Sequence, residues 1–516
     1  MGRFGEIYPG ETQGKLEMFD RVIFKGYLSG LYPAQKQFDW YLHSQNVLLK
    51  DFVAYQERTT AELKENLMRK AVEGGCEISY MGGKTGKNGE SKDEVARQIA
   101  EAKGMPTGMV AILSTLEVEN SMVMGFNREK GWLESRVEPG KHLHYYIYYN
   151  DREFGWMYVR LQSRWPFNLQ IYINGHEWLA HEMEQAAIGY VRHDNTFWQI
   201  DDLPRVQAMC DKMAHRQWER VWNHFAQELN PFLPQIEASV KKGYYWTIEQ
   251  FECATDVMFG DKEKLDGLLP ELFQESFLAF GAEDIMRFLG RKLSAAYTGK
   301  VETRLNKREP GWRIKHWLNA NSLKMYNNGS NLRVETTINK ADEFHMPTPE
   351  GSSSRWKRMP KGVSNFWHFY QTAREANQRY LDALASLPTQ DKPALDALDS
   401  LCQPQGENPS VPKFQPLSVE SCALFAALLR GEFLLTGFRN QNLRQILFPN
   451  PPADPQEEQR LRARITRLLA KLRGHKLIEP VPDSRLYRVT LFGRRAMSAA
   501  LRLRFVNFPL NFSLPS

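Results

Sequence analysis

The last hundred residues constrain the fold most, because their pattern prescribes an order of elements. Residues 418–429 carry Leu, Phe and Ala at helical spacing, and a turn leads to a short helical segment that Pro449 ends. Residues 455–474 predict a longer helix, with Pro455 in the first turn, two glutamates at the start and a glycine at the end. The sequence therefore predicts three successive helices.

The long helix has an apolar stripe and several basic positions on its other faces. After it, residues 477–478 begin a strand, a Pro-Asp-Ser turn follows, and residues 486–490 alternate as a returning strand. A final helix is expected over residues 493–503. The stripe consists of Leu461, Ile465, Leu468, Leu469 and Leu472.

Helix, helix, basic helix, two-stranded wing and helix is the winged helix-turn-helix order. The segment TRLLAKLRGHKLIEPVPDSRLYRVTLFGRRAM resembles the recognition helix, wing and following helix of MarR-type transcriptional regulators. The resemblance implies a basic helix in the major groove of DNA and wing arginines on phosphate or in the minor groove. The residues expected to contact nucleic acid here are Arg462, Arg464, Arg467, Lys471, Arg485 and Arg488.

The charge distribution favours this interpretation over a winged helix used for protein contacts. Residues 412–516 hold 17 Lys and Arg against 7 Asp and Glu, whereas the whole chain holds 67 against 61. The preceding residues are therefore net acidic, and positive charge is concentrated at the C-terminal end. We expect DNA as the partner, with RNA as the alternative, and we also consider a homodimer.

The overall composition is that of a globular protein with two to four domains. Hydrophobic residues make up 42% of the 516 positions and charged residues 25%. The chain contains no long apolar run and no apolar signal core at its N-terminus, so no membrane association is expected. Five scattered cysteines without C-x-x-C spacing indicate a reducing cytoplasm and neither a disulfide framework nor a structural zinc site.

The expected fold class is α+β and multidomain, with a mixed or antiparallel sheet body, a helical bridge and the C-terminal winged helix-turn-helix domain. Residues 202–230 predict one long amphipathic helix, and residues 231–295 predict helix throughout. The Pro-rich run before the C-terminal domain predicts a linker. The expected divisions are 1–190 (mixed α/β with an antiparallel aromatic sheet), 191–295 (helical bridge), 296–386 (basic β-rich segment and helix), 387–416 (linker) and 417–505 (winged helix).

Three successive strands are expected in HLHYYIYYND, FGWMYVRLQSR and FNLQIYING, where polar and aromatic residues alternate. Their side chains could stack bases and hold phosphates. They could equally pack a core face, because Tyr and Trp are common in half-buried sheets. The residues concerned are Tyr146, Tyr148, Tyr158, Arg160, Gln162 and Arg164.

The first of these strands contains His142-Leu143-His144, which places both imidazoles on one face, where they could share a divalent metal. This motif resembles the metal motif of HUH endonucleases, the rolling-circle replication initiators and relaxases. The resemblance implies that Mg²⁺ or Mn²⁺ polarises a scissile phosphate, which a helical tyrosine attacks to form a covalent phosphotyrosine. Tyr370 and Tyr380, on a helix expected over residues 366–385, are the candidate nucleophiles.

The segment SLKMYNNGSNLRVETTIN predicts a β-hairpin around Asn-Asn-Gly, with Lys324 and Tyr326 opposite Arg333 and Glu335. This pairing is similar to a segment of filamentous-phage-type replication initiators. Because Arg333 and Glu335 are two residues apart, they share a face and form either a structural ion pair, which we favour, or a catalytic pair.

LRVETTIN and the DREFG…RLQSRWPF…NGHEWLA run resemble a prokaryotic family without an assigned activity, so that resemblance implies no function.

The hairpin lies in a second basic region, residues 286–361, with 16 Lys and Arg against 6 Asp and Glu. Its loop SSSRWKRMPKG suits phosphate contact through Arg355, Lys357 and Arg358, or is a solvated connector.

Three functions remain open. The one we expect is a nucleic-acid-binding protein, associated with a mobile element or its control, that uses the winged helix and a basic β-rich face. One alternative is a metal-dependent strand-cutting or strand-joining enzyme. The other is a transcriptional regulator that responds to a ligand or protein through the body of the chain.

Overall fold

A computed structural model gives the structure of the chain. It describes residues 4–5, 8, 11–31, 35–82, 90–291, 299–308, 311–348, 356–385, 392–406, 411–430, 433–434, 437–450, 454–482 and 484–504. Helices and strands are both abundant in this part of the chain, and a large sheet contains both parallel and antiparallel pairs. The expected α+β class is therefore confirmed.

The α-helices whose bounds follow range from seven to twenty-two residues in length. They are Gln35–Ser44, Phe52–Glu73, Lys92–Ala102, Gly175–Gln185, Leu203–Ala214, Trp218–Leu229, Leu233–Val240, Lys262–Ala279, Ala282–Phe288, Phe366–Leu384, Lys392–Leu401, Val419–Leu428, Asn440–Leu447, Pro455–Gly474 and Leu491–Arg502. Short 3₁₀ helices cover Leu49–Asp51, Ala341–Glu343 and Val363–Asn365. None of the helices within the described ranges combines the length and apolarity needed to cross a membrane.

The strands are numbered in chain order. They are β1 (Thr12–Leu28), β2 (Ile78–Tyr80), β3 (Gly108–Asn127), β4 (Trp132–Asp151), β5 (Gly155–Gln162), β6 (Leu169–Asn174), β7 (Tyr190–His193), β8 (Thr196–Ile200), β9 (Tyr244–Phe259), β10 (Val301–Arg308), β11 (Gly311–Leu318), β12 (Asn321–Asn328), β13 (Asn331–Ile338), β14 (His345–Pro347), β15 (Trp356–Arg358), β16 (Ile478–Pro480) and β17 (Tyr487–Val489).

The chain divides into two compact units. The unit that we call the body unit comprises residues 16–254 and 337–374. The other, which we call the C-terminal unit, comprises residues 1–15, 255–336 and 375–516.

The sheet of the body unit has the strand order β9-β1-β6-β5-β4-β3-β2. Strands β3 to β6 pair antiparallel with their neighbours, whereas β2 pairs parallel to β3. The helix Lys92–Ala102 connects these two parallel strands, as a parallel pair requires a crossover. Aromatic rings fill the unit's core, and Trp222 packs against Phe24 and Trp218.

In the C-terminal unit, strands β10, β11 and β12 form an antiparallel meander that continues to β13. The meander confirms the β-rich character expected of residues 296–386, and β12 and β13 are the strands of the predicted hairpin around Asn-Asn-Gly. A separate apolar core joins the C-terminal helices, and Ile465, Leu469 and Leu472 of Pro455–Gly474 are buried in it.

The prediction of helix throughout residues 231–295 is wrong, because Tyr244–Phe259 is a strand. Its side chains are buried on both faces along most of their length, so the sequence lacks the alternation that marks a half-exposed strand. The single helix predicted over residues 202–230 is also two helices, which end and begin on either side of residues 215–217. The break places Arg216 against Glu153, with Nη2 2.9 Å from Oε2.

The Pro-rich run 387–416 is not a linker throughout, because Lys392–Leu401 is a helix. Its residues Ala397, Leu398 and Leu401 have helical spacing and are buried in the C-terminal core, as is Phe414. The prolines and polar residues around them concealed this short apolar stripe.

We predict that Leu401→Ala destabilises the C-terminal unit by about 2–5 kcal/mol, because it removes a fully buried side chain and leaves a cavity. Urea unfolding of the full chain followed by circular dichroism measures the change. Val419→Ala, at a position 67% exposed in a neighbouring helix, is the control and should change stability by less than about 0.5 kcal/mol. Equal, negligible effects of both substitutions would show that this segment is a solvated linker.

Candidate nucleic-acid interface

The helix Pro455–Gly474 begins and ends at the residues that the sequence predicts. The Asp454 carboxylate caps it by accepting a hydrogen bond from the Glu457 backbone N–H at 2.7 Å. Pro455 occupies the first turn, where its missing N–H costs nothing. One face of the helix is buried, so its opposite face is fixed toward solvent.

That solvent face carries a row of arginines. Arg460, Arg464 and Arg467 are exposed and spaced by four and three residues, which places them on one side of the helix. The Arg464 guanidinium also lies 5.1 Å from the ring centroid of Phe448. Such a cation–π contact positions the guanidinium without consuming its hydrogen-bond donors.

Strands β16 and β17 follow the helix as a short antiparallel pair with Ile478 opposite Val489. Phe438 bridges to Tyr487 and gives the pair a third backbone partner. Arg485 lies in the connecting turn and Arg488 on β17, and both side chains are exposed. The two strands and the helix that carries the arginine row are adjacent along the chain and pack on one core.

Two of the predicted contact residues differ from this pattern. Arg462 is exposed but donates to the Glu458 carboxylate at 2.9 Å, one helical turn away. Lys471 is half-buried, with its ammonium 4.0 Å from the ring centroid of Phe414, and burial lowers its pKa. Lys471 therefore contributes to packing in this structure.

Sequence reasoning missed Arg460, although its spacing of four residues from Arg464 was visible. Arg460 precedes Leu461, the first residue of the apolar stripe, so the stripe gives no signal for it. Arg473 is likewise exposed in the last turn, where a cation complements the helix dipole.

His142 and His144 share one face of β4 as predicted, with their ring centroids 4.8 Å apart. Both side chains are buried, and each ring is hydrogen-bonded to another side chain. His144 Nε2 lies 3.0 Å from the Glu119 carboxylate, and the Gln162 side-chain amide donates to His142 Nε2 at 2.9 Å. Among the described residues, no group of three mutually close imidazole, thiolate or carboxylate atoms includes both imidazoles. The pair therefore lies in a hydrogen-bonded network rather than an open ligand set.

Arg160 belongs to the same network. The sequence predicts that it contacts phosphate, but in the structure it pairs with two carboxylates. Its guanidinium lies 2.9 Å from a Glu117 oxygen and 2.8 Å from a Glu119 oxygen. Burial alone would raise the pKa values of these carboxyls. A hydrogen bond from Lys92 and the charge of Arg160 instead lower the pKa of Glu117 to about 2. A hydrogen bond with His144 and the charge of Arg160 lower the pKa of Glu119 well below its ordinary value.

The sheet aromatics pack a core in this structure. Tyr146 and Tyr148 are buried in a cluster under the helix Lys92–Ala102, and Tyr158 packs against it. Arg164 is exposed, as phosphate contact would require. Of the two interpretations left open for this sheet face, the geometry supports core packing for the three tyrosines.

The two candidate nucleophiles, Tyr370 and Tyr380, are fully buried. The Tyr370 hydroxyl donates to the Glu17 backbone carbonyl at 2.7 Å, and burial raises its pKa well above the ordinary value. The Tyr380 hydroxyl lies 3.1 Å from His316 Nε2, and burial raises its pKa as well. Neither geometry supports nucleophilic attack on a phosphate, because a nucleophile needs access and an available phenolate.

Arg333 and Glu335 are both buried, and each pairs with another residue. The Arg333 guanidinium contacts both oxygens of Asp256, at 2.6 and 2.7 Å. Glu335 accepts from Lys324 and from the Tyr326 hydroxyl, the latter at 2.9 Å. The expected contact of Lys324 and Tyr326 with this strand is confirmed, and the charges form structural pairs.

The basic loop is described only in part. Lys357 and Arg358 are exposed on β15, beside Trp356, which is 56% exposed. Arg355 lies outside the described residues. The prediction of phosphate contact by this loop stays a prediction.

Comparison with known proteins gives no relative: no family model, curated protein or solved structure matches this chain.

We predict that acid destabilises the chain through His142. Burial, with the nearby His144 and Arg164, lowers the pKa of His142 from 6.5 to about 4. At pH values between 6.5 and about 4, His142 is more protonated in the unfolded chain than in the folded chain, so stability falls as the pH falls. Between pH 7.5 and 5.0 the wild type should lose up to about 2 kcal/mol more than His142→Gln, measured by urea unfolding.

The control for this prediction is His43→Gln, at an exposed position in the same unit. It should keep the wild-type pH dependence. The same loss of stability in His142→Gln and the wild type would contradict the assignment to His142.

Proposed function

We propose that the chain binds nucleic acid through the helix Pro455–Gly474 and the strand pair β16–β17, with duplex DNA as the partner. The observation that carries the proposal is the exposed row Arg460, Arg464 and Arg467 on a helix whose opposite face is buried. A fixed helix with a one-sided arginine row matches the repeating negative charge of a nucleic-acid backbone.

The element order supports a winged helix-turn-helix arrangement of this segment. Val419–Leu428 and Asn440–Leu447 precede the basic helix, and two short strands and Leu491–Arg502 follow it. Asn440–Leu447 packs on the basic helix, as the first helix of a helix-turn-helix does on the second. In this proposal the helix Pro455–Gly474 enters the major groove, while Arg485 and Arg488 contact the backbone.

The residue types favour duplex DNA over double-stranded RNA. Of the 17 basic residues in 412–516, 14 are arginine, whose planar guanidinium can donate two hydrogen bonds to guanine or to phosphate. The major groove of B-DNA, about 12 Å wide, admits a helix. That of A-form RNA is too narrow for side chains to read.

We predict that Arg460→Glu, Arg464→Glu and Arg467→Glu together weaken DNA binding by the full chain at least about a hundredfold. The substitution removes about three phosphate or base contacts and adds repulsion. Fluorescence anisotropy with a labelled duplex at about 0.15 M salt measures the change.

A matched control replaces the exposed Arg58, Lys64 and Arg69 of the helix Phe52–Glu73 with glutamate. It produces the same change in net charge in the body unit and should leave affinity within about threefold of the wild type, since charges that make no contact with DNA in this proposal are screened at this salt. An equal loss of DNA affinity in both triple variants would show that the loss comes from the change in net charge alone. Stronger binding to double-stranded RNA than to DNA would overturn the choice of partner.

We also predict that Arg485→Ala with Arg488→Ala weakens binding to different DNA sequences by a similar factor. Phosphate contacts carry no sequence information, and each one lost lowers the slope of log affinity against log salt by about 0.9. Titrations at several salt concentrations measure this slope. An unchanged slope would contradict backbone contact by the wing.

A further inference from the structure

The C-terminal unit contains an open pocket of about 720 Å³. One wall comes from the helices Val419–Leu428, Asn440–Leu447 and Leu491–Arg502, and the other from Lys262–Ala279, Ala282–Phe288 and strand β10. The lining is rich in apolar side chains, which include Phe277, Phe280, Ile285, Val301, Leu447 and Leu501. The volume lies within the range of about 300–1,000 Å³ for sites that enclose small molecules.

The charged side chains of the lining are paired. Lys300 lies 2.7 Å from the Glu302 carboxylate, and Arg494 lies 3.7 Å from the Asp284 carboxylate. Arg430 also has an interaction partner. Among the described residues of the lining, no charge is therefore left to select a charged ligand. An ion that entered the pocket would lose hydration without gaining a counterion.

Thr303 provides a hydroxyl at one wall, and a buried network determines its orientation. Thr303 on β10 and His316 on β11 lie opposite each other in the sheet, and Thr303 Oγ1 is 2.9 Å from His316 Nδ1. Nε2 of the same ring lies 3.1 Å from the Tyr380 hydroxyl and 3.2 Å from the Ser276 hydroxyl, and these two hydroxyls are hydrogen-bonded to each other. His316, Ser276 and Tyr380 are fully buried.

This network determines which nitrogen of His316 carries the proton. Burial lowers the pKa of His316 to about 3, so the ring is neutral at physiological pH. If Nε2 carried the proton, one hydroxyl hydrogen of the Ser276–Tyr380 pair would lack an acceptor within the network, which is costly in a buried site. Nε2 therefore accepts and Nδ1–H donates to Thr303 Oγ1. Because Thr303 lines the pocket, its hydroxyl hydrogen is left for an acceptor in the pocket.

A second hydroxyl belongs to the facing wall. Ser498, in the helix Leu491–Arg502, lines the pocket and is only 6% exposed. Its hydroxyl makes no hydrogen bond to another residue in the part of the chain that the structure describes. A buried hydroxyl without a partner costs free energy, which an oxygen atom of a ligand would recover.

We infer that this pocket binds a neutral small molecule with an apolar body and a carbonyl oxygen, such as an aromatic ketone. The apolar walls enclose the body, and Phe277 and Phe280 offer aromatic faces to its rings. The Thr303 hydroxyl donates to the carbonyl oxygen, and Ser498 provides a further hydroxyl. The arginine row of the helix Pro455–Gly474 does not line the pocket, and the inference does not rest on nucleic-acid binding.

Isothermal titration calorimetry of the full chain with benzophenone, without nucleic acid, tests the inference. We expect saturable binding of one benzophenone per chain. Diphenylmethane, which lacks the carbonyl, should bind about tenfold more weakly, because it leaves the Thr303 hydroxyl hydrogen unpaired. The anion diphenylacetate and the cation diphenylmethylammonium should each bind at least about tenfold more weakly than benzophenone, because each brings an unpaired charge into the pocket.

Two results of this titration overturn the proposal. One is the absence of saturation with benzophenone up to its solubility limit. The other is binding of either ion as tightly as benzophenone, which would show that the pocket selects charge.

Variants locate the site. Ala426→Trp places a large ring at an exposed position of the pocket lining and should abolish benzophenone binding, whereas Ala61→Trp, on an exposed helix position of the body unit, should not. Thr303→Val should weaken binding about tenfold, and Thr303→Ser, which keeps the hydroxyl, should bind as the wild type does. Wild-type binding by Ala426→Trp overturns the location, and equal affinities of the Val and Ser variants overturn the role of the hydroxyl.

Discussion

Burial of Ile465, Leu469 and Leu472 in the C-terminal core is the constraint on which the proposed interface depends. Each such side chain contributes about 1.5–3 kcal/mol when removed from water, and together they fix the rotation of the helix Pro455–Gly474 about its axis. The arginines on the opposite face therefore point toward solvent. A rigid helix with cations on its solvent side is preorganised for a polyanion, which reduces the entropy lost on binding.

Arginine has a different role in the body unit at Arg160, which is half-buried, and on the hairpin strand β13 at Arg333, which is buried. Arg160 and Arg333 are held by carboxylates, and their N–H groups serve the fold. Removing one partner of such a buried pair typically costs about 3–5 kcal/mol, because the other charge is left uncompensated. Local positive charge in a sequence therefore indicates a binding surface only where the structure leaves the cations exposed.

The sequence was most informative where an apolar period was complete. The bounds of Pro455–Gly474 follow from helical spacing with Pro and Gly at the ends, and Pro449 predicts where Asn440–Leu447 ends. The shared face of His142 and His144 follows from the period of a strand. Strand Tyr244–Phe259 could not be predicted, because burial on both faces removes alternation. The pairing of Arg160 with two glutamates depends on residues distant in sequence, which no local pattern records.

Photo-crosslinking tests the central claim most directly. A benzophenone amino acid at position 463, an exposed alanine within the arginine row, reports contact without removing a cation. We predict covalent capture of duplex DNA by the full chain at position 463, and none when the same amino acid replaces Ala61 in the body unit. Capture at position 61 alone, or equal capture at both positions, would contradict the assignment of the interface to this helix.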